Sequence, residues 1–236
     1  MRVIIVTQTF PPRFGGMQSV MSALAKNFSK TIATFVLPDH NIPESHPIRS
    51  YKIKFNFSKF PKFLRPLIKK IKLKKILKKD DIIICDSWKS LNAIPNTNNK
   101  VVMLAHGQEY LSKSKKKKIN KLLKKVSIVI SSSNYTKNIF LNICNFPETK
   151  IHVIPPTYEI ENDKIKIQNK SSNKKALILT SISRLEERKG FLPVIKAFKY
   201  LIKKKLIKNL YGQFMAMVIW KKNYKNKLTI TNWINI

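Results

Sequence analysis

The chain of 236 residues has little cysteine, few acidic residues and no long apolar stretch. Its two cysteines, Cys85 and Cys144, exclude a disulfide framework and a four-cysteine zinc site, and they fit a reducing compartment. No apolar run approaches the roughly 18 residues that a membrane-spanning helix needs. The first ten residues lack a basic start followed by an apolar run and a small-residue cleavage site, so a signal peptide is not predicted.

Acidic and arginine side chains are scarce beside lysine. The 12 acidic residues stand against 47 basic ones, a formal net charge of +35, and only six of the basic residues are arginine. This imbalance favours nucleic acid, anionic lipid or a phosphorylated substrate as partner. A- and T-rich codons for lysine, asparagine and isoleucine also explain much of it. Because nucleic-acid readers interleave arginine and aromatic residues with lysine, and this chain does so poorly, we expect a solvated basic surface and no nucleic acid partner.

Short apolar runs alternate with helical patterns along the first two thirds of the chain. The runs predict buried parallel strands at 2–7, 31–37, 81–85, 100–105, 126–131 and 151–154. Helical periodicity lies between several of them, most clearly from Met17 to Ala25 and from Asn134 to Cys144. Strands that alternate with helices predict an α/β protein with a doubly wound parallel sheet and helices on both faces.

The alternation of strands and helices stops after the strand at 151–154 and restarts at Ala176. A polar stretch without periodicity indicates a linker, after which a strand is predicted at Ala176–Ser181 and a helix from Phe191 to about Leu206. We therefore predict one complete Rossmann-like domain and the beginning of a second. The predicted divisions are an N-terminal domain at 1–156, a linker at 157–175, the start of the second domain at 176–205 and a tail at 206–236.

The predicted helix Lys62–Lys79 mixes lysine with apolar residues at helical spacing. Such a helix lies on an anionic membrane surface, or it packs its apolar face against the sheet. Both interpretations stay open.

Ligands of open parallel sheets bind beyond the carboxyl ends of the strands. The loop after the first strand contains Arg13 and two consecutive glycines, Gly15 and Gly16, directly before a helix. Glycines there allow close approach of the backbone and leave helical N–H groups free, which suits a phosphate or a sugar hydroxyl. The pair is also common in ordinary turns, and it is not the dinucleotide fingerprint of three spaced glycines.

His106 and Gly107 end another predicted strand at the same edge, with Glu109 just beyond. A neutral imidazole there hydrogen-bonds a sugar hydroxyl or a developing charge, or it is simply a structural histidine. Arg184 and Lys189 flank a turn after the strand Ala176–Ser181. Their guanidinium and ammonium groups suit a diphosphate, although solvated loops share the pattern. No cluster has metal-ligand spacing, so no metal is expected.

Taken together, these segments resemble family 4 glycosyltransferases, which are nucleotide-sugar enzymes of the GT-B fold. The resemblance covers about residues 1–205, and the stretch from Arg184 to Gly190 is its most specific part. One departure is Pro156, where the family has Asn-Gly after Val-Ile-Pro. The segments that carry the resemblance, in the family's order and spacing, are Phe10–Gly16, His106–Gly107, Ser131–Thr136, Val153–Pro155 and Ser183–Gly190.

The resemblance implies a retaining transferase with an acceptor-side N-terminal domain, a nucleotide-sugar donor and no metal or other cofactor. Neutralisation of the phosphate charge by Arg184 and Lys189 would stabilise the departing nucleotide. The acceptor would be a glycan or a lipid-linked sugar in cell-surface polysaccharide or lipopolysaccharide synthesis, and the chain would be cytoplasmic, with peripheral contact with an anionic membrane. The implied sites are His106 at the transferred sugar as the catalytic residue, Arg184, Lys189, Gly15 and Gly16 at the donor phosphate, and Arg13 and Glu109 on the acceptor side.

Family members continue far beyond the position of Gly190, and the tail 206–236 lacks their donor-binding segments. Met215–Val218 must be encoded ATG-GCN-ATG-GTN, which gives Gly-x-Gly when it is read from the third base of each codon. We therefore expect a frameshift near Lys203–Lys205, a truncated transferase with impaired activity, and local disorder in the tail. The DNA sequence through these codons tests this hypothesis.

Two other functions stay open. A basic non-enzymatic module that binds nucleic acid or anionic membrane predicts an affinity that falls steeply with salt. A nucleotide-binding α/β protein with other chemistry would share both the Gly-Gly turn and the Arg/Lys turn.

Overall fold

A computed structural model of the chain describes residues 1–13, 15–39, 51–53, 57, 60–156, 177–184, 189–204, 210–218 and 228–234. The chain divides into two compact units, Met1–Asp163 and Lys164–Ile236. The predicted linker at 157–175 lies outside the described residues.

The first unit is built on a seven-stranded sheet in which all neighbouring strands are parallel. Most of its strands are apolar and buried, as expected for strands that are covered on both faces. The spatial order is β3-β2-β1-β4-β5-β6-β7. The strands are β1 (Val3–Val6), β2 (Thr34–Leu37), β3 (Lys52–Ile53), β4 (Ile82–Cys85), β5 (Lys100–Ala105), β6 (Ile128–Ser131) and β7 (Ile151–Val153).

Helices cover both faces of this sheet, which confirms the predicted α/β class. The helices are α1 (Gly16–Ser29), α2 (Arg65–Ile76), α3 (Lys116–Leu123) and α4 (Asn134–Leu141). Met21 and Ala25 of α1 belong to the hydrophobic cluster on one face. The helices α2, α3 and α4 contribute Leu73, Ile119 and Phe140 to the larger cluster on the other. Alternation along each strand sends successive side chains to these two clusters.

The helix α2 is shorter than the predicted Lys62–Lys79, and it fits both of the interpretations left open. Its residue Leu73 is fully buried against the sheet. Phe63, in the turn before the helix, and Leu67 and Ile71 are 79%, 55% and 51% exposed. These three are called the α2 stripe below. Leu67 and Ile71 are spaced by four residues and therefore share one side of the helix, and Phe63 lies just before it.

A buried lysine ties α2 to the sheet. Lys69 is 1% exposed, and its Nζ donates to the backbone carbonyls of Thr7 and Leu37 at 3.0 Å each. It also pairs with Asp39. Burial lowers the pKa of Lys69, and the Asp39 carboxylate opposes that shift. The contacts fix the carboxyl ends of β1 and β2, a role that the surrounding lysine-rich sequence does not reveal.

The described residues of the second unit form a three-stranded sheet and a helix. The strand β8 (Leu177–Arg184) pairs in parallel with β9 (Leu210–Val218), and β9 pairs antiparallel with β10 (Leu228–Ile234). The helix α5 (Phe191–Lys203) follows β8. The strand β8 runs to Arg184, three residues beyond the predicted end at Ser181.

Two stretches of the tail 206–236 lie among the described residues, and both are strands. The segments β9 and β10 are rich in aromatic, β-branched and other apolar residues. Such a composition favours strand pairing whatever the origin of the sequence. The remaining residues of the tail lie outside the described part of the chain.

Candidate functional site

One carboxyl group holds the loops at the carboxyl edge of the seven-stranded sheet. Asp86 follows β4 directly and is fully buried. Its Oδ2 accepts hydrogen bonds from the Thr7 hydroxyl at 2.7 Å, the Gln8 backbone N–H at 2.8 Å and the Thr9 hydroxyl at 3.0 Å. Its Oδ1 accepts one from the Ser90 hydroxyl at 2.5 Å. Asp86 therefore joins the loop after β1 to the loop after β4.

Sequence reasoning missed Asp86. Its only signal is its position directly after an apolar run, at the edge where ligands of parallel sheets bind. The partners Thr7, Gln8 and Thr9 lie almost eighty residues earlier, so no local spacing reveals the network.

Gly15 and Gly16 lie at the start of α1. Gly15 is the N-cap, with φ of +152°, and a Cβ there would lie 2.5 Å from the Gln18 Oε1. A Cβ on Gly16 would meet nothing within 4 Å. The backbone therefore requires glycine at 15, whereas Gly16 leaves open space over the first turn. Among the described residues no side chain caps α1, so its first N–H groups suit an anionic ligand. Arg13, in the same loop, is exposed.

His106 follows the last residue of β5, as the sequence predicted. Its Nε2 is buried and has no hydrogen-bond partner among the described residues. Gly107 follows with φ of +98°, and a Cβ there would lie 3.0 Å from the Thr136 Oγ1. Glycine at 107 therefore lets the chain turn sharply beside α4 and leave His106 at the edge of the sheet.

Burial sets the protonation of His106 and Glu109. It lowers the pKa of His106, and the neighbouring Asp86 opposes that shift. It raises the pKa of Glu109 from 4.5 to about 7, and the backbone N–H of His106, 3.5 Å from its Oε1, opposes that shift. At neutral pH the imidazole is therefore mainly neutral and the carboxyl group is close to half protonated.

The segment Ser131–Thr136 starts α4. Ser133 is the N-cap, and its hydroxyl oxygen accepts a hydrogen bond from the Thr136 backbone N–H at 3.1 Å. This bond satisfies one of the free donors of the helix, so Ser133 has an ordinary capping role.

An apolar cavity of about 430 Å³ lies next to His106. Its size and mainly apolar lining are typical of small-molecule sites. Most of the lining side chains come from α1 and from the strands β4, β5 and β6, and they include Val20, Leu24, Phe28, Ile84, Leu104 and Ile130.

Three segments that were singled out in the sequence meet at this cavity. They contribute His106, Ser132 and the pair Ile154 and Pro155. The other predicted residues of the first unit, Arg13, Gly15, Gly16 and Glu109, do not line it. The structure thus brings some of the predicted residues together and leaves the others elsewhere at the edge.

The predicted diphosphate residues lie in the second unit. Arg184 is the last residue of β8, and Lys189 is exposed just before Gly190, whose φ is +71°. The residues 185–188 between them lie outside the described part of the chain. Contact of Arg184 and Lys189 with a diphosphate stays a prediction.

Other classes of site leave no trace in the described residues. No group of three or more His, Cys, Asp or Glu side chains there could hold a metal ion. Both cysteines, Cys85 and Cys144, are buried and free. No helix in the described ranges is long and apolar enough to cross a membrane.

Solved structures share the fold of this chain at low sequence identity. One is described as trehalose-6-phosphate from E. coli bound with UDP-2-fluoro glucose, with 13% identity, a TM-score of 0.62, and coverage of 92% of this chain and 65% of that one. A glycosyltransferase from Rickettsia africae ESF-5 has 21% identity, a TM-score of 0.62, and coverage of 92% of this chain and 60% of that one. The chain thus spans less than two thirds of the length of either structure.

The lipopolysaccharide outer core galactosyltransferase WaaB, in its apo form, is also similar, with 15% identity, a TM-score of 0.53, and coverage of 91% of this chain and 68% of that one. These likenesses show the GT-B type of α/β fold, as the sequence predicted.

No curated protein sequence matches the chain. The family model of Glycosyltransferase Family 4, in contrast, matches residues 14–162, which is more than half of the chain. That range contains α1, with Gly15 and Gly16 at its start, the strands β4 to β7, and His106, which follows β5. The chain therefore belongs to glycosyltransferase family 4.

Proposed function

We propose that this chain is a retaining glycosyltransferase. It takes a sugar from a nucleotide-sugar donor and transfers it to a glycan or lipid-linked acceptor in cell-surface polysaccharide or lipopolysaccharide synthesis. The observation that carries the proposal is His106, which lines an apolar cavity at the carboxyl edge of the sheet and keeps its Nε2 without a partner in the described structure.

His106 acts on the transferred sugar as a neutral imidazole. Burial lowers its pKa, so the ring is mainly neutral at pH 7. Its free Nε2 can then make one hydrogen bond with a sugar hydroxyl. An unpaired polar atom that is buried without a ligand lowers stability, so a sugar hydroxyl there would satisfy it.

The donor diphosphate is assigned to Arg184 and Lys189, and the free N–H groups at Gly15 and Gly16 suit a donor phosphate as well. In the reaction the bond between the anomeric carbon and the phosphate oxygen breaks, and the acceptor oxygen forms the new bond on the same face of the sugar. The hydroxyl proton of the acceptor leaves with the departing diphosphate. Positive charge from Arg184 and Lys189 stabilises that leaving group, so no metal is needed.

Two kinds of observation support the substrate classes. The similar E. coli structure is bound with UDP-2-fluoro glucose, a nucleotide-sugar analogue. In this chain, the α2 stripe projects from a lysine-rich helix, which suits the surface of an anionic membrane and therefore a lipid-linked acceptor. Arg13 and Glu109 stay on the acceptor side in this proposal.

Binding of nucleoside diphosphates tests the donor site. UDP, GDP and ADP are titrated into the chain by calorimetry, beside the double variant Arg184→Ala/Lys189→Ala. Loss of two charge-assisted contacts weakens binding by at least about tenfold. The matched control is Lys196→Ala/Lys199→Ala, because both lysines are exposed on α5. The proposal fails if no nucleoside diphosphate binds, or if the test variant and the control bind alike.

A further inference from the structure

A second cavity, of about 330 Å³, opens at the carboxyl edge of the same sheet. We call it the basic pocket. Its lining combines side chains from the loops after β1 and β4 with side chains from the start of α3. They include Lys89, Lys115, Lys118, Gln8, Trp88 and Asn92. No acidic residue is among the described residues that line it.

A buried donor in this pocket lacks an acceptor. Trp88 is only 3% exposed, and its Nε1 has no hydrogen-bond partner among the described residues. An indole N–H can only donate, and leaving one unpaired in the interior is unfavourable. The Lys115 ammonium lies 6.0 Å from the centre of the Trp88 ring, so the ring also helps to place a positive charge. An acceptor oxygen placed at this N–H would satisfy the indole.

Positive charge from three sources converges on the same space. Lys89, Lys115 and Lys118 are exposed, and none forms an ion pair with a described residue. The charge of Lys89 acts on the pKa of the Glu109 carboxyl group in the lowering direction. Lys115 is the N-cap of α3, whose first turn has no acidic residue and no side-chain cap. Lysines at the positive end of a helix repel its dipole, and an anion between them relieves that repulsion.

The start of α2 adds to this field. Pro66, in the first turn of α2, also lines the pocket, and α2 likewise has no side-chain cap. The positive ends of two helices therefore border one cavity, together with three lysines and an unsatisfied indole N–H.

We propose that the basic pocket binds the phosphoryl group of a phosphorylated acceptor sugar. A phosphoryl group brings about −1.5 to −2 charges and three acceptor oxygens at pH 7, which match three ammonium groups and an indole donor. Gln8 and Asn92 supply neutral donors and acceptors for the hydroxyls of the sugar. The pocket belongs to the first unit and includes neither Gly15 nor Gly16, whereas Arg184 and Lys189, to which the donor diphosphate is assigned, belong to the second. The identification of the ligand as an acceptor rests on the proposed transferase function. The existence of the anion site does not depend on it.

Titration with glucose 6-phosphate, inorganic phosphate and glucose tests the pocket. The test variant is Lys115→Gln/Lys118→Gln, and the matched control is Lys116→Gln/Lys117→Gln, on exposed lysines of the same segment that do not line the pocket. Both variants lose two charges. We expect glucose 6-phosphate to bind the wild type and the control alike and the test variant about tenfold more weakly. Trp88→Phe keeps an aromatic ring but removes the N–H, and it should also weaken binding while thermal unfolding remains cooperative.

The outcomes separate the possible failures. Equal losses in the test variant and the control, or no binding of glucose 6-phosphate, would overturn the proposal while leaving the donor site untouched. Inorganic phosphate that binds as tightly as glucose 6-phosphate would assign the pocket to free phosphate and overturn the acceptor assignment. Selective binding of glucose 6-phosphate by a chain that binds no nucleoside diphosphate would uphold the pocket and refute the transferase function.

Discussion

Asp86 shows how a single side chain shapes the edge of the sheet. Its carboxyl oxygens accept hydrogen bonds from side-chain and backbone donors of Thr7, Gln8 and Thr9 and from the Ser90 hydroxyl. These donors lie in or beside the interior, where an unpaired donor is costly. The loop that leads to Gly15 therefore depends on a residue that lies far away in the sequence.

Replacing Asp86 by alanine should destabilise the fold by about 3 kcal/mol, because several donors lose their acceptor at once. Urea unfolding at pH 7, followed by circular dichroism, measures the change. Asp80→Ala is the control, since Asp80 is exposed. Unfolding midpoints that are equal for the two variants would contradict this role of Asp86.

The carboxyl group of Glu109 makes stability depend on pH. Its pKa rises from 4.5 to about 7 on folding, so the folded chain holds the proton more tightly than the unfolded chain does. This contribution is fully present below about pH 4.5 and is lost as the pH rises through 7.

Glu109→Gln mimics the protonated carboxyl group and removes this dependence. Relative to the wild type, the variant should gain free energy of unfolding as the pH rises from 5 to 8, by at most about 3 kcal/mol. Urea unfolding at several pH values measures the difference. The control is Glu148→Gln, at an exposed side chain. A difference between wild type and Glu109→Gln that does not change with pH would refute the shift.

The strands and helices follow from local patterns, because an apolar run or a helical period is visible in neighbouring residues. The strands β1, β4 and β5 lie within the predicted runs, and β8 exceeds its own by three residues. Contacts between distant residues were not predictable in this way. Lys69 looks like its lysine neighbours, yet its ammonium group donates to the backbone carbonyls of Thr7, just after β1, and of Leu37 in β2. Trp88 and Asp86 owe their importance to loops that only folding brings together.

The helix α2 gives a prediction about membranes. Because its stripe is apolar and lies among lysines, the chain should bind vesicles of phosphatidylcholine that contain phosphatidylglycerol, and bind pure phosphatidylcholine less well. Leu67→Ser/Ile71→Ser should weaken that binding by at least about tenfold, since the membrane contact loses two apolar side chains that it would otherwise bury. Co-sedimentation with the vesicles measures it.

Leu111→Ser/Leu192→Ser is the control for the α2 stripe, because both leucines are exposed on other elements. Equal weakening by the two double variants would show that the stripe has no special role, and so would the absence of any preference for anionic vesicles.

At the scale of the whole molecule, the fold and family of the chain were accessible from the sequence, since the motifs lie at loops after strands and keep their order. Which of these motifs lie close together in space was only partly predictable from the sequence. His106, Ser132 and Pro155 meet at one cavity, while Gly15 and Glu109 lie outside its lining. The basic pocket was hidden for a different reason. Two of its lysines, Lys115 and Lys118, belong to a run that composition alone explains, and the sequence does not show that they lie beside Trp88 and Lys89.

The central claim is that His106 contacts the sugar of a nucleotide-sugar donor. The most direct measurement is NMR of the imidazole signals of the four histidines, with the His106 signal assigned from the variant His106→Gln. A series of nucleotide sugars is added, each beside its nucleoside diphosphate. We predict that at least one nucleotide sugar shifts the His106 signal well beyond the shift caused by its diphosphate. A series in which nucleotide sugars bind but leave this signal unmoved would contradict the claim.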